Sequence, residues 1–389
     1  MPDNYLTFSE TVEKITALVR WWSASAGQPE TSILPRSYEV PSRSHFGPLW
    51  FAFHVGFGRN DDQNSPLAKI AQGSRNLAAG FKDTFYPAGV QNFSYQGKTY
   101  GLPGDIAPIV FWYNKDLCAK AGIDPTTIKT WDDFIDAVKK CQAAGITPLA
   151  VGGKDEWPVH FYPAFLLMRI LGKEGMQEVI AGKNGGFNSP DAVKAFQVFQ
   201  ELAALKPFQP GFLANTYAES AGTFHDGKTA FHLMGTWDIT EGRTDSTDGK
   251  GLPDEKLGWF FFPEVQGGKG HANDIFASVD GWLVAKDAPK ETVDWMKVWL
   301  SKEVQDKIAE AGLFIPMVKG TAESIKEPFY KAIAQEAANS QWIEIAMDQL
   351  LGPDTGRVFN DACTDIAAGK LTADKAAKTI EDSWEQNNK

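Results

Sequence analysis

From residue 98 onward, short apolar runs alternate with stretches whose apolar positions recur every three or four residues. The run IVFWY at 109–113, inside the segment 106–115, predicts a buried strand. A helix is predicted to start near Thr130, which can cap it, with Asp133 close to its positive end. Phe134, Val138 and Cys141 then share one face, and Ala144-Gly145 ends the helix. ITPLAV at 146–151 predicts the next strand. Ser189 is expected to cap a second helix with Pro190 at its first position and Val193, Phe196, Phe199 and Leu202 inward. Further strands are predicted at 229–234, 258–263 and 276–284, with a polar, glycine-rich loop over 242–256. A single helix running from Pro289 would turn Val293, Met296, Leu300 and Val304 inward. A last helix, capped by Thr372, would bury Ala376, Ile380 and Trp384. Between 24 and 64 no helical or strand period is readable.

A chain of 389 residues predicts two lobes rather than one core. With 43% hydrophobic and 22% charged residues it reads as globular. A net charge of −11 and the lack of any Lys/Arg-rich run exclude a broad nucleic-acid footprint. No run of 18 apolar residues predicts a spanning helix, and the first residues lack the basic and apolar regions of a secretion signal. The 3 cysteines, Cys118, Cys141 and Cys363, are far apart and read as ordinary thiols rather than a disulfide framework. Thirteen Trp and 26 Phe build a large aromatic core, with enough left over for a few to line a carbohydrate cleft.

Most catalytic and metal signatures are missing. His225 and His232 are the only histidines near one another, at a spacing that fits no zinc pattern, so neither metal nor cofactor is expected. DSTDG at 245–249 lacks the register of a calcium loop and reads as a solvated turn. There is no GxSxG and no phosphate loop, and GGKG at 267–270 reads as a hairpin turn. Carboxylates are plentiful, so a glycosidase-like acid/base pair stays open at this level.

Several segments follow one another in a familiar order: KDTFYPA (82–88), GKTYGLP (97–103), FWYNKDL (111–117), TWDDF (130–134), DGKTAFHLMGTWD (226–238), SVDGWLVAKDAP (278–289) and EAGLFIP (310–316). Over about 81–389 the chain thereby resembles the extracellular sugar-binding proteins of ABC importers. The resemblance implies an α/β fold of the two-lobe periplasmic-binding-protein type, with the ligand in the cleft between lobes. It places lobe one at 1–107 plus 276–317 and lobe two at 108–275 plus 318–389. It also implies a sugar ligand, membrane permease subunits as partners, a monomer, no catalysis, and a periplasmic or extracellular location, with or without a membrane anchor. RWWSASAG at 20–27 is similar to a segment of glucose-type members, after which the family pattern is lost.

Candidate ligand contacts follow from both readings. Trp237 stands where the resemblance implies a stacking aromatic. Asp238 beside it either accepts sugar hydroxyls or caps the next helix. Trp157 sits in a polar loop after a strand, where ligands gather in α/β sheets, with Glu156 and His160 flanking it. Asp105 precedes the first crossover, and Asp280 and Trp282 lie on the returning one. Trp21 and Trp22 join if the glucose-type similarity holds, and Trp342 and Asp348 come last. The competing readings are a glycosidase or lyase, the same fold binding a polyol or polyamine, and a descendant that has lost its ligand.

Overall fold

One long strand, β1 (Gly101–Asn114), organises the molecule. The computed structural model describes residues 80–95, 98–283, 290–340 and 342–387. The chain divides into two units, Met1–His54 and Val55–Lys389, and every described residue belongs to the second. Trp21, Trp22 and the stretch 24–64 lie outside the described residues.

Along β1 only Asp105 and Tyr113 are half-buried and everything else is buried, which is why the sequence reads as a continuous apolar run rather than an alternating one. The strand serves two sheet halves in turn. Gly101–Pro108 pairs antiparallel with Ala277–Leu283, and Ile109–Tyr113 pairs antiparallel with Phe231–Gly235. The other strands of its sheet are β2 (Thr147–Ala150), β3 (Thr229–Gly235), β4 (Leu257–Phe260), β5 (Ile275–Leu283), β6 (Ile315–Pro316) and β7 (Ile343–Ile345), and Ser94–Tyr95 pairs separately with Lys98–Thr99. Their order is β2-β3-β1-β5-β7, with β4 and β6 also paired to β1. The outer pairs, β2 with β3 and β5 with β7, are parallel.

The principal helices include α1 (Trp131–Ala143), α2 (Trp157–Ile180), α3 (Pro190–Ala204), α4 (Tyr217–His225), α5 (Lys290–Trp299), α6 (Lys302–Glu310), α7 (Gly352–Ala367) and α8 (Ala373–Asn387); a further helix spans Pro328–Ala337, besides shorter helices and turns. The start of α1 is the predicted one: Thr130 Oγ1 accepts from Asp133 N, and Asp133 Oδ2 accepts from Thr130 N at 2.9 Å. The core is strongly aromatic. Phe111 lies between Phe134, at 4.4 Å, and Phe262, at 5.5 Å, and Phe165 stacks on Phe262 at 4.5 Å. Arg169 is fully buried and donates to the carbonyls of Phe262, Ala272 and Asp274, which anchors the connection from β4 to β5 on α2. In the GGKG turn, Gly268 and Gly270 press against the carbonyls of Arg169 and Met168, leaving no room for a Cβ.

Four expectations need correction. Ser189 stands at the cap position of α3, but its side chain makes no capping bond; Pro190, needing no partner for its nitrogen, starts the helix. The helix expected from Pro289 is two helices, because Ser301 turns extended and caps α6 through Val304 N at 3.4 Å. The strand expected to Pro263 stops pairing at Phe260. The loop over 242–256 starts inside a helical turn, Glu241–Thr244.

Candidate functional site

β2 and β3 run parallel side by side, and the chain leaving each delivers a tryptophan at the carboxyl end of the sheet. After β2 the loop 151–156 leads to Trp157, the first residue of α2. After β3 a 3-10 turn, Thr236–Ile239, carries Trp237. Between them Tyr217 opens α4 behind a capping box of Thr216 and Glu219. The rings form one half-buried platform: Trp157 to Tyr217 at 5.2 Å and Trp157 to Trp237 at 6.2 Å between centroids.

Close backbone packing fixes the platform. A Cβ on Gly235 would run into the Trp237 ring, so that ring folds back over the end of its own strand. Gly152 lies so close to Thr216 and Tyr217 that a side chain there would push the two loops apart. Asp155 ties them together, its carbonyl accepting from Trp157 N at 2.7 Å and its Oδ2 from Tyr217 N at 2.7 Å. Glu156 takes φ 64°, a left-handed conformation, between Asp155 and Trp157. Its carboxyl is pushed up to about 7 by partial burial, by a shared hydrogen bond with Asp361 and by the charges of Asp361 and Asp365.

Asp238 is enclosed and caps no helix. Its side chain is 1% exposed and makes no helix-capping bond. Oδ2 meets His225 Nε2 and His232 Nδ1, both at 3.1 Å, and Oδ1 accepts from the Tyr217 hydroxyl at 3.4 Å. Burial alone would raise this carboxyl; the His232 and His225 rings outweigh it and hold it well below the usual carboxylate range. The two histidines set aside as a zinc pair thus serve a carboxylate. Among the described residues no group of three or more His, Cys, Asp or Glu is arranged to hold a metal ion.

A second acidic feature flanks the point where β1 changes sheet. Asp105 of β1 and Asp280 of β5 are direct cross-strand partners, both half-buried. Burial and then the Asp280 charge push the Asp105 carboxyl well above its usual value. Ser278 Oγ donates to Asp280 Oδ1 at 3.4 Å. Glu241, exposed at the surface, links this pair to the platform: the protein around its carboxyl and the charges of Asp245, Asp238 and Asp280 push it up to about 7. The same Asp238, Glu241 and Asp245 charges act on the Tyr217 hydroxyl, which burial first pushes up.

The other sequence candidates lie elsewhere. Trp282 packs on Trp299 at 5.9 Å, beside a small apolar cluster of Phe85, Leu102, Met296 and Leu300. His160 is fully buried and Trp342 is 4% exposed, so both are core residues. Asp348 accepts from Asn360 Nδ2 at 3.2 Å next to His160. Reading the sequence missed Tyr217 and Glu241. The spacing of Thr216 and Glu219 was a usable signal, since a capping box sets Tyr217 at a helix start.

Flat rings whose faces are apolar, beside carboxylate acceptors, suit a ligand with C–H faces and hydroxyl rims. A profile of the family described as bacterial extracellular solute-binding protein matches residues 63–306. The arabinooligosaccharide-binding protein of Bacillus subtilis is 29% identical over 159 residues, 40% of this chain and 35% of that protein. Among curated relatives the chain spans only 34% to 51% of their length in three cases. A solved chitin oligosaccharide binding protein is 26% identical, with TM-score 0.74, 86% of this chain and 82% of that one covered. A chain solved in work on xylan utilization by the thermophilic bacterium Caldanaerobius polysaccharolyticus has TM-score 0.81 at 23% identity, with 97% and 98% covered.

Proposed function

The chain belongs to the bacterial extracellular solute-binding proteins, and from that membership we propose that it reversibly binds a neutral mono- or oligosaccharide as the receptor of an ABC importer. The observation that carries the reading is the Trp157–Tyr217–Trp237 platform at the carboxyl ends of two parallel strands, beside the switch of β1 from one sheet half to the other. Ligands of open α/β sheets bind at such switch points. The names of the relatives, arabinooligosaccharide-binding and chitin oligosaccharide binding, agree with a sugar.

In this mechanism the sugar's C–H faces lie on Trp157 and Trp237, each stack adding about 1 kcal/mol beyond area burial. Asp105 and Asp280 accept its hydroxyls, at about 1.5–3 kcal/mol for each charge-assisted bond. A sugar lacking the right hydroxyl leaves a carboxylate desolvated and unmatched, which gives selectivity. We assign lobe one to 1–107 plus 276–317 and lobe two to 108–275 plus 318–389; the change of partner strand after Pro108 supports the first boundary. Trp21 and Trp22 enter the proposal on the resemblance of their segment alone. With contacts from both lobes, the sugar binds the closed form better and shifts the population toward it. The closed form then docks on the permease outside the cytoplasmic membrane. No helix among the described residues is long and apolar enough to cross a membrane.

The test is calorimetric titration with a panel of arabino-, xylo-, chito- and malto-oligosaccharides and galactose. One-to-one binding of one class at micromolar affinity or tighter, with the sugar recovered intact, supports the reading. Recovery of shortened sugar would convert the protein into a glycosidase or lyase and make Asp105 and Asp280 its acid/base candidates. A folded protein silent across the panel would remove the reading.

A further inference from the structure

Among the carboxylates around the platform, Asp238 is closely ringed by partners and has little access to a ligand. Its side chain is 1% exposed, both oxygens are occupied, and the groups occupying them come from two separate elements: His225 and Tyr217 from the two ends of α4, and His232 from β3. One oxygen therefore grips the strand that delivers Trp237 and the helix end behind it, while the other reaches the hydroxyl of the second platform ring. Gly242 completes the enclosure, since a Cβ there would meet Asp238 Oδ1 at 2.5 Å and His225 Cδ2 at 2.8 Å.

The remaining nitrogens, His225 Nδ1 and His232 Nε2, are buried and meet no partner among the described residues. A bare ring nitrogen tolerates that position better than an N–H does, because an unpartnered donor forfeits its full desolvation. This assigns the proton to His225 Nε2 and to His232 Nδ1, so that both rings donate to the carboxylate. The carboxylate is then an ionised acceptor for three donors, a role an amide with one acceptor oxygen cannot reproduce.

We infer that Asp238 is a positioning residue that sets the mutual angle of Trp237 and Tyr217, and through it the affinity and selectivity of the platform, without touching the sugar. The inference rests on the sugar-binding reading and deepens it. Trp237 is the neighbour of Asp238 in the chain, and its ring stands 57° from Trp157, which in turn stands 47° from Tyr217. These angles decide which sugar faces can lie flat on two rings at once. Freed from the anchor, the 3-10 turn Thr236–Ile239 lets Trp237 sample other rotamers, and binding has to select one.

The experiment is a double-mutant cycle, read by titration with the five-class sugar panel named above and by tryptophan emission. D238N keeps the shape of the side chain, and D238A removes it; W237A and the doubles complete the cycle. Acting through Trp237, D238N weakens binding about tenfold in the wild-type background and less than twofold in the W237A background. Its emission also shifts before any sugar is added, and that shift disappears with W237A. Equal losses in both backgrounds would show a merely structural role and overturn the inference, and so would unchanged affinity of a folded D238N beside a weakened W237A. If W237A itself binds like wild type, the platform is not the sugar site, and reading and inference fall together. Should D238A fail to fold, D238N alone decides.

Discussion

Two acidic regions, both felt by the Glu241 carboxyl, are built on opposite principles. At Asp238 a carboxylate is surrounded by donors, His225, His232 and Tyr217, and is held below its usual range. At Asp105 a carboxylate faces another carboxylate, Asp280, and is pushed above its usual range. The first arrangement is satisfied and costs a ligand more to disrupt than it returns. The second keeps two like charges across a strand pair, so a hydroxyl-bearing ligand that donates to either one relieves part of the conflict. A carboxylate ringed by donors is held low, and one that faces another carboxylate is pushed up.

The comparison breaks hardest at Gly235. Replacing Gly235 with Ala forces the Trp237 ring out of place, and affinity for the bound sugar class should fall about a hundredfold, the worth of one anchoring aromatic. Stability should drop by about 1–3 kcal/mol from overpacking, read as a lower melting temperature. An unaffected affinity would detach Trp237 from the site.

D105N tests the frustrated side. Its sugar affinity should fall about tenfold, one charge-assisted hydrogen bond. Its stability should move the other way. The raised folded-state value means that Asp105 contributes stability below its unfolded-state value, 3.8, and loses it as pH rises through the folded-state value. D105N and wild type should therefore melt alike near pH 4, with D105N ahead at pH 8. Equal melting temperatures throughout would show that the pair carries no strain.

Glu241 sharpens the contrast by pH. With its carboxyl at about 7 against 4.5 for an ordinary glutamate, its contribution is full below 4.5 and lost between 4.5 and about 7. Melting curves of E241Q should lack that slope, and a slope that survives would have to come from the other raised carboxyls. The smallest effect is at Glu156. E156G relieves the left-handed backbone at φ 64° and should raise stability by about 1 kcal/mol or less.

Much of the fold was legible because each local signal agreed with the packing. The capping box at Thr130, the apolar face of α3 and the unbroken run in β1 all reflect near neighbours or full burial. The placement of Trp157 and Trp237 just after strands was legible in the same way. The helix break at Ser301 was hidden, since the inward spacing of Val293 to Val304 continues across it. The partners of Asp238, 13 and 6 residues away, are assembled by tertiary structure and leave no local signal in the sequence. Tyr217 is 60 residues from Trp157 in sequence, and direct bonds between their loops, Gly153 N to Phe212 O, Lys154 N to Asn215 O and Tyr217 N to Asp155 Oδ2, bring them together.

The central claim is that a sugar lies on the platform with its hydroxyls toward the frustrated pair. A crystal structure of the protein with the tightest-binding sugar of the panel tests it most directly. The account predicts a sugar ring flat against Trp157 or Trp237, with a hydroxyl within hydrogen-bonding distance of Asp105 or Asp280 and none on Asp238. A sugar bound away from these rings, or one held by Asp238, would contradict it.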